Sequence, residues 1–193
     1  MAKVVLFMAM SLDGFIAGPE DSMTEPAGRE GERLFAWSDG GTAARAVHGE
    51  YNATGAVLSG RRTYDLVNGW GGDHHDGVPM FILTHKPPLT VPEGKGTYTF
   101  VTDGVESAVA QAKAAAADKE VLLHGADIAQ QCLRLGLLDE MVIHLIPVLL
   151  GEGRRLFEHL GSEHVELKLV HLREAPQATH LRYRVVHAAR APE

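Results

Sequence analysis

A chain of 193 residues, 45% apolar and 22% charged, has the size and composition of a soluble globular protein, and we expect residues 1–193 to form a single domain. The formal net charge of −7 disfavours a general nucleic-acid surface, which needs a basic face, but is compatible with a local basic pocket. No apolar run approaches the ~20 residues that cross a bilayer. The single cysteine, Cys132, cannot form an internal disulfide, which suits a reducing, cytoplasmic compartment.

Six short apolar runs predict the strands of a largely parallel sheet. Continuous runs of about 4–8 apolar residues are typical of strands buried on both faces. Residues 105–119 and 127–135 predict helices, the first capped by Thr102 and Asp103 and the second ended by Gly136. Cys132 lies in the second helix, where we expect it to be a buried small hydrophobe. The predicted strands are residues 3–10, 55–59, 79–84, 97–101, 120–124 and 141–146.

The C-terminal part of the chain has a different pattern. Apolar and charged residues alternate on both sides of residues 174–177, which predicts an antiparallel hairpin with one face on the core and one in water. The predicted fold class is therefore α/β, with a mixed, mostly parallel sheet of about eight strands, flanking helices and a closing antiparallel hairpin. Residues 18–31 and 69–77 form long polar loops, which are either active-site lids or surface linkers. The alternating apolar residues are Val165, Leu167, Leu169, Leu181, Tyr183 and Val185.

A carboxylate follows the first predicted strand, in the segment Ser-Leu-Asp-Gly-Phe-Ile-Ala-Gly at residues 11–18. Ligands of α/β folds bind at the carboxyl ends of strands, so Asp13 is a candidate catalytic residue. The alternative is a tight turn in which Asp13 bonds to nearby backbone, because Asp-Gly is a common turn pair.

Three further strands end at polar or glycine-containing segments. At residues 59–63 a strand meets Gly60, two arginines and a threonine that open a helix, and at residues 124–128 a strand meets Gly125 before another helix. Helix N-termini bind anions, and arginine adds bidentate phosphate contacts. At residues 84–86 a hydroxyl, an imidazole and an ammonium end a strand and are suited to phosphate or ribose. The alternatives are a helix start with solvated arginines and a simple exit turn, and G-x-G-x-x-G is absent.

Together these segments resemble the dihydrofolate reductase superfamily, in particular its bacterial branch related to the reductase domain of riboflavin biosynthesis. The resemblance runs from residue 3 to about residue 160. Its motifs are Ser-Leu-Asp-Gly-Phe-Ile-Ala at 11–17, Gly-Arg-Arg-Thr-Tyr at 60–64, Leu-Leu-Asp-Glu at 137–140, and Pro-Val-Leu-Leu-Gly-Glu-Gly-Arg-Arg-Leu-Phe at 147–157.

The resemblance implies NADPH as the cofactor and a substrate that is a flat nitrogen heterocycle, pterin- or pyrimidinedione-like, or a small carbonyl compound. The cofactor's 2′-phosphate and pyrophosphate would lie at Ser59, Gly60, Arg61, Arg62, Thr63, His124, Gly125, Ala126, Asp127 and Ile128. Its adenosine would lie at Leu83, Thr84 and His85, and its nicotinamide at Ala9, Ile16 and Ala17. The substrate would contact Phe15, Trp37 and Trp70, although core packing is the alternative for both tryptophans.

The source of the proton is open. Reduction of a C=N or C=O bond by hydride requires a proton on the other atom. Dihydrofolate reductases use an acid on the helix after the first strand, preceded by a Trp and Pro loop, but residues 23–35 contain no tryptophan. Glu30 and Glu32 are candidates, with a solvated helix face as the alternative, and Asp13 or water is the expected donor. His124 stands where many relatives have a second glycine.

Two other functions are weighed against a reductase. One is a nucleotide-binding module of the same fold without turnover. The other is a metal-dependent hydrolase using His74, His75 and Asp76, but adjacent histidines on an extended chain point in different directions, so we expect a solvated loop and no metal. We also expect a homodimer, because residues 141–146 and the closing hairpin offer apolar faces and symmetric dimers are the commonest assembly.

Overall fold

A computed structural model describes residues 2–38, 41–162 and 164–187. Within them the strands are β1 (Val4–Ser11), β2 (Phe15–Ala17), β3 (Ala56–Gly60), β4 (Met80–Leu83), β5 (Tyr98–Val101), β6 (Val121–His124), β7 (Glu140–Ile146), β8 (Arg154–Arg155), β9 (Glu166–Ala175) and β10 (Ala178–Val186). The α-helices are α1 (Gly41–Asn52), α2 (Arg61–Leu66), α3 (Val105–Ala116) and α4 (Ala126–Arg134). Two 3₁₀ helices span Gly31–Phe35 and Asn68–Gly72.

The main sheet has eight strands in the order β5-β4-β3-β6-β1-β7-β10-β9. The strands from β5 to β7 run parallel, whereas β10 is antiparallel to β7 and to β9. A second sheet pairs β2 with β8. The predicted fold class, a mostly parallel sheet closed by an antiparallel hairpin, is confirmed.

The central strands are buried because helices cover both faces of the sheet. Side chains of α3 and α4 pack with Leu6 and Leu58 on one face. Tyr51 of α1 and Tyr64 of α2 pack with Phe7 on the other face. The parallel strands therefore end together at one edge between two helical layers, where the loops that follow β3, β4 and β6 meet.

Several local predictions were wrong in detail. Thr102 and Asp103 do not cap α3, because its N-cap is Gly104 with a φ of 110° and no side-chain hydrogen bond. The helix ends at Ala116 rather than residue 119, since Ala117 has a φ of 58°. Helix α4 begins at Ala126, one residue earlier than predicted, and helix α1 was not predicted.

The closing hairpin forms where the alternation predicts it, but its outer strand is not half-buried. Strand β9 lies at the edge of the sheet, and the exposed fractions of Leu167, Leu169 and Leu172 are 41%, 50% and 46%. On β10, by contrast, Val185 is buried. The expectation that one face of the hairpin packs on the core therefore holds for β10 only.

Cys132 is buried on α4, which confirms its interpretation as a small core hydrophobe. Burial raises the pKa of its thiol to about 12, so the thiol stays protonated near neutral pH. In the residues that the structure describes, no helix has both the length and the apolar character needed to span a membrane.

Candidate functional site

A cleft of about 470 Å³ opens at the carboxyl edge of β3, β4 and β6. Because the three strands are parallel, the segments that follow them converge there. The predicted cofactor residues that line the cleft are Gly60, Arg61, Arg62, Thr63, Leu83, Thr84, His85, Gly125, Ala126, Asp127 and Ile128. Lys86, from the predicted 84–86 segment, also lines it, together with the unpredicted residues Thr102, Gly104, Val105, Gln131 and Arg154.

The floor of the cleft depends on Gly125, at the start of α4. Its φ of +106° lies in the region that favours glycine, and a Cβ there would stand 2.7 Å from Thr63 Oγ1. Gly60 has an extended backbone and more room, since the nearest atom to a Cβ would be 4.0 Å away on Ile128. The two glycines thus bring backbone of neighbouring strand ends to the surface of the cleft.

The arginines of the cleft already have partners within the protein. Arg61 Nε donates to both Asp65 carboxylate oxygens, at 2.8 and 2.9 Å, and its Nη1 donates to the Lys86 carbonyl. Arg62 Nη2 donates to Asp21 Oδ1 at 2.6 Å, and Arg154 Nε lies 3.5 Å from Asp21 Oδ2. Asp21 comes from the 18–31 loop, so this loop contacts two arginines of the cleft through one carboxylate.

Other predicted cofactor residues lie outside the cleft lining. Ala9, Ile16 and Ala17 are buried on β1 and β2, and Ser59 is buried with its hydroxyl 3.3 Å from the Gly60 carbonyl. Phe15, a predicted substrate residue, is buried beneath the Arg155 guanidinium, whose carbon lies 4.4 Å from the ring centroid. Their assignments to nicotinamide and substrate stay predictions.

Asp13 holds two loops together. Its carboxylate accepts hydrogen bonds from Ser11 Oγ at 2.6 Å, from Leu150 N at 3.2 Å and from Gly151 N at 2.7 Å. The Ser11 hydrogen bond is the main cause that lowers the pKa of Asp13, and the two backbone bonds add to it. A carboxylate held ionised in this way is a poor proton donor, so the contacts of Asp13 favour the interpretation as a turn residue. A catalytic role for Asp13 stays a prediction.

His74, His75 and His124 form one cluster with Tyr51 and Trp70 between α1 and the sheet. Tyr51 Oη lies 2.8 Å from His74 Nε2 and 3.3 Å from His124 Nε2, and the two Nε2 atoms are 3.1 Å apart. His74 Nδ1 is 2.7 Å from His75 Nδ1. The expected solvated loop with diverging histidines is therefore wrong, because the turn at residues 73–77 folds both rings inward onto Tyr51.

The cluster is neutral near pH 7. Burial lowers the pKa of His74 to about 2 and that of His124 to about 4, and it also lowers the pKa of His75. Trp70 packs over two of these rings, with centroid distances of 4.8 Å to His74 and 5.9 Å to His124. These contacts show core packing for Trp70, and its contact with substrate stays a prediction.

A second aromatic group surrounds Trp37. Its ring centroid lies 5.6 Å from His48, 4.3 Å from His144 and 4.9 Å from His180. His144 and His180 are cross-strand partners on β7 and β10, and their Nδ1 atoms are 3.0 Å apart. Burial lowers the pKa of His144 to about 3. Trp37 thus packs on protein rings, and a role in stacking on substrate stays a prediction.

The remaining candidates are Glu30 and Glu32, proposed as proton donors, and a metal site. Glu30 and Glu32 are exposed, as the solvated-face alternative expects. Among the described residues, no three His, Cys, Asp or Glu side chains are arranged to hold a metal ion, so the hydrolase alternative gains no support from the geometry.

Comparison with known proteins identifies the family. The model of the RibD C-terminal domain matches residues 2–181. The chain belongs to the RibD C-terminal domain family. The resemblance to the riboflavin-biosynthesis branch of the dihydrofolate reductase superfamily is thereby confirmed.

The similar proteins include some that this chain covers almost completely and others that it covers only in part. The chain is 28% identical to the uncharacterized protein YwjB of Bacillus subtilis over 186 residues, covering 94% of this chain and 97% of YwjB. A putative riboflavin biosynthesis protein from Shewanella sp. PV-4 is 26% identical, with a TM-score of 0.74 and coverage of 97% of this chain and 100% of that chain. A deaminase/5-amino-6-(5-phosphoribosylamino)uracil reductase from Thermotoga maritima is 16% identical, with a TM-score of 0.67 over 96% of this chain and 57% of that one.

Sequence reasoning missed Arg154 as a cleft residue and Tyr51 as a partner of His124. Arg154 lies within the Gly-Glu-Gly-Arg-Arg motif, which carried the resemblance but did not indicate that the residue lines the cleft. Tyr51 belongs to helix α1, which was not predicted because residues 41–52 show no clear helical pattern of apolar residues.

Proposed function

We propose that the protein is an NADPH-dependent reductase that transfers a hydride to a flat nitrogen heterocycle, pterin- or pyrimidinedione-like, or to a small carbonyl compound. Membership of the RibD C-terminal domain family supports an oxidoreductase. The uracil reductase activity named for the similar Thermotoga maritima protein supports a pyrimidine as the substrate class. True folate reduction is not proposed.

The observation that carries the proposal is the cationic, glycine-floored cleft. In a chain of net charge −7, three arginines and a lysine line one cavity, where β3 ends at Gly60 and Gly125 follows β6. Such a cavity suits a ligand with several phosphates, because charge-assisted hydrogen bonds and free backbone N–H groups both favour anions. The absence of a Cβ at Gly125 leaves room that a side chain would fill.

Each cleft residue would have a defined task. Arg62 and Arg154 would exchange Asp21 for phosphate oxygens, since both face its carboxylate. Thr84 and His85 would contact the adenosine end, and the backbone of Gly125 and Ala126 would contact pyrophosphate. Bound NADPH supplies the hydride that reduces the C=N or C=O bond.

The test is NADPH oxidation against a panel of pyrimidinediones, pterins and quinones, followed by absorbance at saturating cofactor. We expect NADPH-dependent reduction of at least one flat heterocycle. Binding of NADPH measured by calorimetry, with no oxidation by any compound of the panel, would contradict a reductase.

That result would instead favour the nucleotide-binding module. Two observations support this second candidate. The Asp13 carboxylate already accepts hydrogen bonds from Ser11 and Gly151, and Glu30 and Glu32 are exposed to solvent. None of the three acids suggested by the sequence is therefore well placed to donate a proton. A module of this kind would retain tight NADPH binding and turn nothing over.

We also propose a homodimer. Strand β7 is almost wholly buried within the subunit and offers no apolar face, contrary to the reasoning from sequence. Strand β9 instead offers several exposed apolar side chains at the sheet edge, among them Leu167, Leu169 and Leu172. Light scattering at micromolar concentration is expected to give twice the 20.8 kDa chain mass, and a clean monomer would contradict the proposal.

A further inference from the structure

Three polar atoms form a triangle in the histidine cluster outside the cleft. The distances are 2.8 Å from Tyr51 Oη to His74 Nε2, 3.3 Å from Tyr51 Oη to His124 Nε2 and 3.1 Å between the two nitrogens. The side chains come from α1, the 73–77 turn and the end of β6, and each is half-buried. The fold therefore brings together three atoms with lone pairs from segments 23, 50 and 73 positions apart.

The partners at both ends of the cluster fix where its hydrogens lie. His124 Nδ1 is 3.1 Å from the Phe7 carbonyl, which only accepts, so His124 carries its hydrogen on Nδ1 and its Nε2 has a free lone pair. At the other end, the Thr54 hydroxyl donates to the Tyr51 carbonyl at 2.8 Å. Thr54 Oγ1 must therefore accept a hydrogen bond from His75 Nε2, 3.2 Å away.

The hydrogen on His75 Nε2 determines the form of His74. A neutral imidazole has one donor and one acceptor, so His75 Nδ1 must accept from His74 Nδ1 at 2.7 Å. With its hydrogen on Nδ1, His74 also has a free lone pair on Nε2. The two Nε2 lone pairs thus face each other across 3.1 Å.

The triangle contains three close contacts and a single hydrogen, that of the Tyr51 hydroxyl. This hydrogen can point at His74 Nε2 or at His124 Nε2, and it cannot serve the contact between the two nitrogens. The remaining lone pairs repel one another. A cation bound by all three atoms turns this repulsion into attraction.

We propose that Tyr51, His74 and His124 form a binding site for one divalent transition-metal ion of the Zn²⁺ class. The ion is bound by Nε2 of each histidine and by the phenol oxygen. Imidazole nitrogens suit Zn²⁺, Cu²⁺ and Ni²⁺, whereas Mg²⁺ and Ca²⁺ prefer sets of oxygen ligands. The site goes beyond the proposed reductase function and does not depend on it.

The triangle has the size that such an ion requires. An ion about 1 Å above the plane of the three atoms is about 2.0–2.1 Å from each, which is the length of zinc bonds to nitrogen and oxygen. A water molecule can then complete the tetrahedron. Because the third ligand is a phenol oxygen, the set differs from the groups of three His, Cys, Asp or Glu side chains, of which the described residues contain none.

Neighbouring groups orient the two imidazoles for this role. A histidine that binds a metal almost always donates its other N–H to a protein acceptor or water. His124 donates to the Phe7 carbonyl and His74 to His75, and Trp70 packs against both rings. Burial lowers the pKa of both histidines, so both are neutral at pH 7, the form that binds metals.

Tyr51 has to lose its proton to bind the ion as a phenolate. Burial raises the pKa of the Tyr51 hydroxyl, so the free protein holds the proton near neutral pH. As the bond between the metal and Oη forms, the O–H bond breaks and the proton passes to water. Each ion bound therefore releases one proton.

Spacing along the chain predicted no metal, because His74 and His75 are adjacent and have no further ligand close in sequence. The fold supplies Tyr51 and His124 from distant segments instead. An ion at this point would join α1, the 73–77 turn and β6, so it should stabilise the folded chain.

The first test is a titration of the chelator-treated parent protein with Zn²⁺ and with Co²⁺. Calorimetry is expected to give one Zn²⁺ per chain, and Co²⁺ should show the intense visible bands of a four-coordinate ion. The melting temperature should rise with added Zn²⁺. A parent that binds neither ion stoichiometrically would overturn the proposal. Because no NADPH is present, that result would leave the reductase function intact.

Substitutions locate the ion within the chain. Tyr51→Phe keeps the ring and removes only the phenol oxygen, so Zn²⁺ affinity should fall about tenfold or more, and His124→Gln should lower it about 100-fold or more. His164→Gln is the control, because it removes an exposed histidine outside the cluster, and it should keep the parental affinity. Parental affinity in Tyr51→Phe, or an equal loss in His164→Gln, would contradict the site.

A third measurement examines the metal-free protein. Nitrogen-15 spectra of histidine-labelled protein are expected to show His74 and His124 with hydrogen on Nδ1 and none on Nε2. Added Zn²⁺ should shift the Nε2 signals of these two residues and leave that of His164 unchanged. A hydrogen on Nε2 of both histidines in the metal-free parent would contradict the arrangement, because no lone pair would then face the ion.

Discussion

The cleft at the carboxyl edge of the sheet and the histidine cluster beneath α1 lie close together but differ in the charge of the side chains that form them. The cleft is lined by arginines whose side chains are 33–47% exposed and paired with carboxylates. In the cluster, aromatic and imidazole rings pack together, and burial keeps the imidazoles neutral.

The difference follows from the cost of burying charge. A guanidinium that keeps contact with water can exchange one anion for another, as a site for phosphates requires. A neutral hydrogen-bonded network can lie in a drier place, because each imidazole both donates and accepts and no charge is buried. Charged and neutral polar side chains therefore fall in separate but adjacent regions.

The largest expected effect is a loss of stability when the pH falls below neutral. The folded-state pKa values of His74, His144 and His124 are about 2, 3 and 4, whereas histidine in an unfolded chain titrates near 6.5. Below pH 6.5 the unfolded state binds more protons, so each of these histidines should lower the unfolding free energy by about 1.4 kcal/mol per pH unit until its folded pKa is reached.

Urea unfolding at pH 7, 6 and 5 measures this slope. His144→Phe should flatten it, while His164→Gln should not, because the His164 side chain is 88% exposed. The carboxylates with lowered pKa values, Asp13 and Glu140, add their own loss only nearer pH 4. Equal stability at pH 7 and pH 5 would show that the histidines are not held neutral.

The cleft should respond to loss of charge rather than to pH. Replacing Arg61 and Arg62 together by alanine removes charge-assisted contacts worth about 1.5–3 kcal/mol, so NADPH affinity should fall about 10- to 150-fold. NADH affinity should change little, and the effect should shrink as salt rises. Calorimetric titration of both cofactors is the measurement. An equal loss for NADH would mean that the arginines support the fold of the cleft rather than the extra phosphate.

Substitution of Asp13 tests whether this residue supports stability or catalysis. Asp13→Asn replaces one acceptor oxygen with an NH2 group that faces a donor N–H, that of Leu150 or of Gly151, so the melting temperature should fall. Ser11→Ala removes the hydrogen bond that Ser11 Oγ donates to Asp13 and the one that it accepts from Phe15 N, so it should lower the melting temperature as well. Thermal unfolding measures the effect. If Asp13→Asn kept the parental melting temperature but lost most of its kcat, Asp13 would be a catalytic residue after all.

The smallest effect concerns Asp21, whose carboxylate occupies the two arginines of the cleft. An exposed ion pair is worth up to about 1 kcal/mol, so Asp21→Asn should tighten NADPH binding by up to about fivefold. Asp118→Asn, at an exposed position beyond α3, is the control and should leave affinity unchanged. Weaker binding in Asp21→Asn would mean that the loop helps to hold the cofactor instead of competing with it.

Local sequence was enough to predict the sheet and most of the cleft. A buried strand, a glycine and a helix start follow one another directly in the sequence. The segments around Gly60 and Gly125 could therefore be predicted as parts of a binding cleft from local sequence alone. The histidine cluster could not be predicted in this way, because its members come from α1, the 73–77 turn and β6, and helix α1 itself carries no clear apolar pattern. The pairing of Arg62 with Asp21 was equally hidden, since the two are 41 positions apart and meet only through the path of a loop.

The most direct test of the cofactor assignment is to titrate the parent protein with NADPH and with NADH under the same conditions. The two ligands differ by one phosphate on the adenosine ribose, which carries about two negative charges near neutral pH. If Arg61, Arg62 and Arg154 form the site for that phosphate, NADPH should bind about 10- to 150-fold more tightly. Equal dissociation constants for the two cofactors would contradict the account, and Arg61 and Arg62 would then be only the start of a helix.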